Sequence, residues 1–392
     1  MLLLSMSLSI SAETDCSITQ AITSGKVYAD LRWRFEAVDQ DNALKNAKAL
    51  TLRTKLGYKT AEAYGLSALI KFEDSRDLFG IDDFSVPPTG FNSGEFSVIA
   101  DRNSTELDQA FLQYKSAKLS GKLGRHVITL DNHRFVGHVG WRQVRQTFDA
   151  LTLNLQVGKE FKIQASKLSK RNRIFSDEKN VNSDDTLLNV WYQTKFGKLG
   201  AYAYLLEVDE GAANSNDTVG AKFSGSHKLG DTKVLYSAEL ASQETNDSID
   251  TDYFALEGGA VIASITAKIG LESLGSDNGA GAFTIPLATL HKFNGWTDQF
   301  LGTPAQGLED IYITLSGKLA GGNWSATYHD FSSDIACSGG GDDLGDELNL
   351  VYSRTFGDNY YGDAKYADHS SGDVTFGKVD TSKFWLWAGA KF

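Results

Sequence analysis

The sequence predicts an all-β chain built as a single transmembrane antiparallel β-barrel of about 18 strands, with short periplasmic turns and long extracellular loops. Three observations carry that prediction. Composition is the first: among 392 residues, 38 Gly, 22 Phe, 15 Tyr and 7 Trp stand against 4 Pro, the mix expected of many strands joined by glycine-containing turns. The second is a period of two in the apolar residues, which recurs along most of the chain. The third is the rhythm of the connections, in which very short turns alternate with much longer polar segments. No run approaches the ~20 apolar residues of a membrane-spanning helix. A hydrophobic content of 41% still suits a barrel, whose lipid-facing residues occupy only alternate positions.

From the N-terminus, residues 1–12 (MLLLSMSLSISA) are a short apolar run ending in small residues, and read as the remnant of a secretory signal peptide cut after Ala12. No Lys or Arg precedes Lys26, so the true start is expected upstream of Met1. Residues 13–26 read as a periplasmic N-terminal segment and 27–392 as the barrel. Cys16 follows Glu13, Thr14 and Asp15, not the small residues of a lipid-anchoring site. The other cysteine, Cys337, falls on the opposite side of the membrane in this topology, too far away to bridge.

The strands follow from the alternation. Leu50, Leu52, Leu56 and Tyr58 oppose Thr51, Arg53 and Lys55; Leu66, Ala68, Ile70 and Phe72 oppose Ser67, Lys71 and Glu73. Val261 to Leu271 and Ile311 to Leu319 repeat the pattern. Marking every such run centres strands near residues 32, 52, 68, 110, 123, 152, 164, 191, 204, 222, 237, 254, 266, 314, 326, 351, 363 and 387. Examples of the longer loops fall at 75–104, 129–146, 172–183, 209–217, 242–250, 272–307 and 332–343. Two strands are irregular. Leu107 and Phe111 oppose Ala110, Leu112 and Tyr114, which calls for a bulge. The run Leu119 to Val127 would put Arg125 against lipid, so a register shift at Gly121 or Gly124 is expected. In the last strand Phe384, Leu386, Ala388, Ala390 and Phe392 alternate up to a terminal phenylalanine, a pattern resembling the signal read by the barrel-assembly machinery. The expected location is the Gram-negative outer membrane, with its lipid and lipopolysaccharide as neighbours.

With the apolar sets facing lipid, the inward set on the first strands is Arg32, Arg34, Arg53, Lys55 and Lys71, interleaved with Asp30, Glu36 and Glu73; the last strand adds Lys383 and Lys391. One wall is therefore biased towards positive charge. Elsewhere the inward set is mixed, as in Lys222, Glu239, Glu257, Lys268, Asp310 and Lys365. The third long loop concentrates charge further: residues 124–146 hold four arginines and three histidines around Asp131, in a chain whose net charge is −12. In large porins the third loop commonly folds into the lumen. Arg125, Arg134, Arg142 and Arg145, with Arg32, Arg34, Arg53 and Lys55, form the expected pore constriction and anion-binding set, because a guanidinium stays charged and grips carboxylate or phosphate at two points. The competing reading is that these arginines brace the loop on Glu36, Glu73 or lipopolysaccharide phosphates. His126, His133 and His138 are spaced by seven and five residues, which is not a ligand pattern, so no metal is expected. The chain has no nucleophile elbow, P-loop, dinucleotide fingerprint or HExxH, which gives no ground for an enzyme, a cofactor or a nucleic-acid partner.

The segments GRHVITLDNHRFVGHVGWRQVRQTFDALTL (124–153) and HKFNGWTDQFLGTPAQGLEDIYITLSGKL (291–319) resemble the alginate-export family of outer-membrane porins. The resemblance implies an 18-stranded barrel and an arginine-rich electropositive constriction for anionic polysaccharide, with Arg125, Arg134, Arg142 and Arg145 on the matching positions. The expected function is a passive diffusion channel preferring anionic small solutes or uronate-type oligosaccharides. Its alternatives are a structural or receptor barrel closed by its loops, and an outer-membrane hydrolase.

Overall fold

Charged side chains are buried here and leucines are exposed, the reverse of a water-soluble protein. In a computed structural model describing residues 17–175, 177–209, 215–337 and 340–392, Arg32, Arg34, Glu36, Arg53, Lys55 and Glu73 are each at most 6% exposed. Leu56, Ile70, Phe72, Leu112, Leu123, Ile269, Ile313 and Leu386, from neighbouring strands, are exposed. Residues 1–12, read above as a signal remnant, lie outside the described residues.

The strands are β1 Lys26–Gln40, β2 Ala47–Lys59, β3 Leu66–Asp83, β4 Ser104–Lys115, β5 Leu119–His126 and β6 Thr147–Val157. They continue as β7 Phe161–Asn172, β8 Thr186–Gln193, β9 Lys198–Leu206, β10 Asn216–Leu229, β11 Thr232–Thr245 and β12 Asp250–Ile262. The last six are β13 Ile265–Leu274, β14 Leu308–Leu319, β15 Gly322–Ser332, β16 Asp343–Phe356, β17 Tyr360–Ser370 and β18 Thr381–Lys391. Every predicted centre lies inside one of them. Each strand pairs antiparallel with its neighbours in sequence, and β18 closes on β1 from Asp30↔Lys391 to Gln40↔Thr381. The chain is a closed antiparallel 18-stranded barrel. Closure satisfies every strand edge, which hydrocarbon requires because it offers backbone N–H and C=O no partner. A further two-residue pairing, Val181–Asn182 on β7, lies in a connecting loop.

Several boundaries differ from the sequence reading. β3 runs on to Asp83, β11 to Thr245 and β13 to Leu274, so the loops begin later than the alternation suggested. The reason is that pairing outlasts the membrane: beyond the apolar belt the strands continue with polar residues such as Asp74 and Arg76 on the outer face, and the period of two disappears although the ladder does not. Connections 41–46 and 371–380, left unmarked above, also join strands at the long-loop end. The expected bulge in β4 is present: the ladder with β3 jumps from Lys71↔Gln109 to Phe72↔Leu107, which leaves Asp108 as the extra residue, almost fully buried. The expected shift near Arg125 is a correction. Pairing of β5 is continuous, and Arg125 stands in the row Ala110–Arg125–Asp149, the same side as the exposed Leu112–Leu123–Leu151 row two positions away. It is kept there by two bonds to Asp149, at 2.7 and 3.2 Å.

The barrel has a hydrophobic core inside its lumen. Ile128, Leu130, Phe135 and Val136 from the loop between β5 and β6 pack with Phe283, Ile285, Leu287 and Phe300 from the loop between β13 and β14. Against the wall they meet Tyr202, Tyr204, Tyr253, Leu274, Leu308 and Phe331. The two loops thus fill one side of the lumen and leave their polar faces turned to the charged wall of β1–β3.

Candidate functional site

The loop of residues 127–146 turns inward because its apolar residues have a place to go only inside the barrel. Phe135 is the anchor, with ring centroids 5.1 Å from Tyr202, 5.2 Å from Tyr253 and 6.0 Å from Phe283. The longer loop, residues 275–307, runs beside it. Gly137 N–H donates to the Leu287 carbonyl at 2.8 Å, Thr289 N–H to that of His133 at 3.1 Å, and Val139 N–H to Thr289 Oγ1 at 3.1 Å. Gln146 Nε2 bridges the carbonyls of Gly137 and Leu287 at 2.9 and 3.1 Å. Only glycine fits at 137, since a Cβ there would collide with the Thr289 side chain.

Each lumenal arginine of the first loop ends on a carboxylate. Arg134 Nε lies 2.7 Å from Glu272, and its Nη2 donates to Asn294 at 2.9 Å. Arg142 reaches Glu36 at 2.9 Å, Asp298 at 3.5 Å and Asp101 at 3.7 Å. Arg145 places two nitrogens on Asp108, at 2.5 and 2.6 Å. The wall cations behave alike: Arg34 meets Glu36 and, at 3.1 Å, Asp101; Lys55 meets Glu73 at 2.6 Å; Arg53 meets Asp30 at 2.7 Å. Arg32 instead donates to Gln143 Oε1 at 3.0 Å and to the carbonyls of Gly140 and Arg142. Arg32, Arg34, Arg142, Arg145 and Lys55 are therefore brought to one face of the inserted loop and Arg134 to the opposite one. Arg53 lies further along the wall, and Arg125 is outside the group. This is the bracing geometry: removing one partner would strand a buried charge. Of the histidines, His126 hydrogen-bonds Thr152 Oγ1 at 2.8 Å and the Gly124 carbonyl at 2.7 Å, while His133 and His138 meet edge to face at 5.0 Å.

Sequence reasoning missed the half of the site that the longer loop supplies. Asn294 and Gly295, both at positive φ, turn the chain around the Glu347 carboxylate of β16. That carboxylate accepts the backbone N–H of Trp296, the N–H of Thr297 at 3.0 Å and the Thr297 hydroxyl at 2.5 Å. The following Asp298 accepts from Lys383 at 2.8 Å and from His291 Nδ1 at 2.6 Å. The only sequence signal for this was the motif HKFNGWTD itself.

Segment 291–298 separates two cavities. The outer, of about 590 Å3, is lined by extracellular-loop residues and by Trp141, His291, Thr297 and Asp298; the inner, of about 520 Å3, by Phe293, Asn294, Trp296 and the strands below. Their charges differ. Arg142, Arg173 and Lys383 face the outer cavity against Asp298, whereas Lys222, Lys268 and Lys292 face the inner one against Glu239, Glu257, Glu272 and Asp310. Burial pushes the His291 imidazole down to about 3, although Asp298 opposes the shift. Burial also takes His138 down to about 4, with Arg145 adding to it. Both rings are neutral at pH 7, so His291, which lines the outer cavity, adds no charge to it.

A closed barrel with an apolar exterior, a charged interior and two loops folded into its lumen is a porin of the Gram-negative outer membrane. The family model for alginate export matches residues 26–263, and the chain belongs to that family. Comparison with curated proteins returns no match. Among solved structures, Acinetobacter baumannii OccAB4 superposes with a TM-score of 0.74 at 13% identity, covering 94% of this chain and 98% of that one. Pseudomonas aeruginosa OccK1 (OpdK) gives 0.75 at 13% identity, over 95% and 99%. OccK9 (OpdG) from the same organism gives 0.75 at 12%, again over 95% and 99%. These likenesses establish the shared 18-stranded fold.

Proposed function

We propose that the protein is a passive diffusion channel that prefers anionic small solutes or uronate-type oligosaccharides, which pass from the outer cavity towards the inner one. The observation that carries this reading is the lining of the outer cavity directly above the partition, where Arg142, Arg173 and Lys383 face one acid, Asp298, and where Arg173 meets no carboxylate among the described residues. A cleft of one sign with low-dielectric walls concentrates counter-charged solute. Cation-lined constrictions favour anions in pores generally. Because the loop arginines are neutralised by Glu36, Asp101, Asp108 and Glu272, and Lys383 by Asp298, they act by fixing the partition, and the attraction is left to Arg173. In the same reading, residues 13–26 lie in the periplasm, Phe392 presents the chain to the barrel-assembly machinery, and the outer-rim charges contact lipopolysaccharide.

Liposome swelling with size-matched sugars tests the proposal. Vesicles carrying the protein should swell faster in a monouronate than in the corresponding neutral hexose. Equal rates would remove the anion preference, and no swelling in either would favour a receptor barrel closed by its loops.

A further inference from the structure

At the partition, most cations meet a carboxylate. Among the described residues Lys365 of β17 does not. Its Nζ lies 2.6 Å from His291 Nε2 and 3.6 Å from the ring centre of Trp296, with Trp385 at 5.1 Å and Trp141 at 5.6 Å. An ammonium can only donate, so His291 Nε2 accepts and His291 Nδ1–H donates to Asp298. The nearest carboxylate in that chain is thus one imidazole away. Arg32 and Lys292 also lack an acid partner, but both are spent on loop carbonyls.

The same cluster holds two further donors without an acceptor. The indole N–H groups of Trp141 and Trp385 are buried and make no hydrogen bond, and Trp385 is completely enclosed. A buried donor left without an acceptor is costly. Trp141 from the inserted loop and Lys365 and Trp385 from the wall therefore form one cluster in which none of the three donors meets an anionic acceptor. The place is the boundary between the cavities: Trp141 and His291 line the outer one and Trp296 the inner. The flat faces of Trp141, Trp296 and Trp385 add quadrupoles that hold the ammonium in position without neutralising it.

We infer that Lys365, held by His291 and Trp296 at the boundary between the two cavities, is the specificity-determining cation of the channel, acting through its field on anions that pass between them. This rests on the anion preference proposed above. The account differs from one based on the loop arginines in naming a wall cation that no carboxylate among the described residues meets.

Planar-bilayer reversal potentials under a potassium chloride gradient test it, using native protein, Lys365→Gln and Lys365→Arg, with folding verified by heat-modifiable migration. The chloride-to-potassium permeability ratio should fall about fivefold in Lys365→Gln, the order expected of one uncompensated charge acting through partly screened water. Lys365→Arg should restore it, which a purely structural role would not require of charge. A native protein without anion preference would sink the functional reading itself. Native preference that survives in Lys365→Gln would overturn this inference alone. Should Lys365→Gln not fold, fluorescence quenching decides: iodide should quench native protein more than Trp296→Phe, with no such difference for caesium. Equal iodide quenching in the two proteins contradicts the site.

Discussion

At the scale of single residues, the lumen is organised by pairing. Glu36 serves Arg34 and Arg142, Asp108 serves Arg145, Glu272 serves Arg134, and Glu347 holds the backbone of Trp296 and Thr297. Such pairs specify where a loop sits more than they stabilise it, since burying each charge costs several kcal/mol before the partner repays it. Two loop histidines, His291 buried and His138 half-buried, give this arrangement a pH dependence. His138, held down to about 4, and His291, held to about 3, are neutral in the docked loops, whereas an undocked loop would bind protons at the ordinary value of 6.5. Undocking therefore takes up protons, and docking is at full strength above pH 6.5 and weakens as the pH falls towards 4. Single-channel traces should show a larger or more fluctuating conductance at pH 4.5 than at pH 7. Identical traces at the two values would mean that the loops do not move relative to the wall.

At the scale of elements, the strands were legible and the loops were not. A strand advertises itself by a period of two, and every centre deduced from that period lies inside a strand. The bulge at Asp108 also showed, as a local conflict between Leu107, Ala110 and Phe111. Arg125 was misread because its compensation is a cross-strand partner, Asp149, which no local pattern reveals. The path of residues 275–307 was invisible for a similar reason. Its buried stretch Phe283, Ile285, Leu287 has alternation without a ladder, and its partners Phe135 and Tyr253 are remote in sequence. The two inserted loops depend on Phe135 more than on any other side chain. Phe135→Ala should cost loop docking about 3–5 kcal/mol, as for other buried aromatic truncations. The barrel, held by its own ladders, should remain folded. Conductance should rise while heat-modifiable migration stays native; an unchanged conductance would show that the loops do not limit the pore.

At the scale of the whole molecule, the same sequence solves two solvation problems at once. Alternate residues bury leucines in lipid, and the residues between them bury arginines, lysines and acids in a lumen that two loops partly fill. A net charge of −12 is thereby compatible with an outer cavity of positive balance, because the acids are spent on bracing or lie elsewhere. The candidate site was half legible. The arginines of residues 124–146 announced themselves by their density, while Lys365 was one inward residue among many until the longer loop brought His291 and Trp296 to it. The central claim is that this barrel conducts and prefers anions. The reversal potential of the native protein in a planar bilayer, with a tenfold potassium chloride gradient, tests it most directly. The account predicts an open channel whose reversal potential has the sign of chloride permeation, more pronounced at low ionic strength, where charges are less screened. A reversal potential of the potassium sign in an open channel would contradict it.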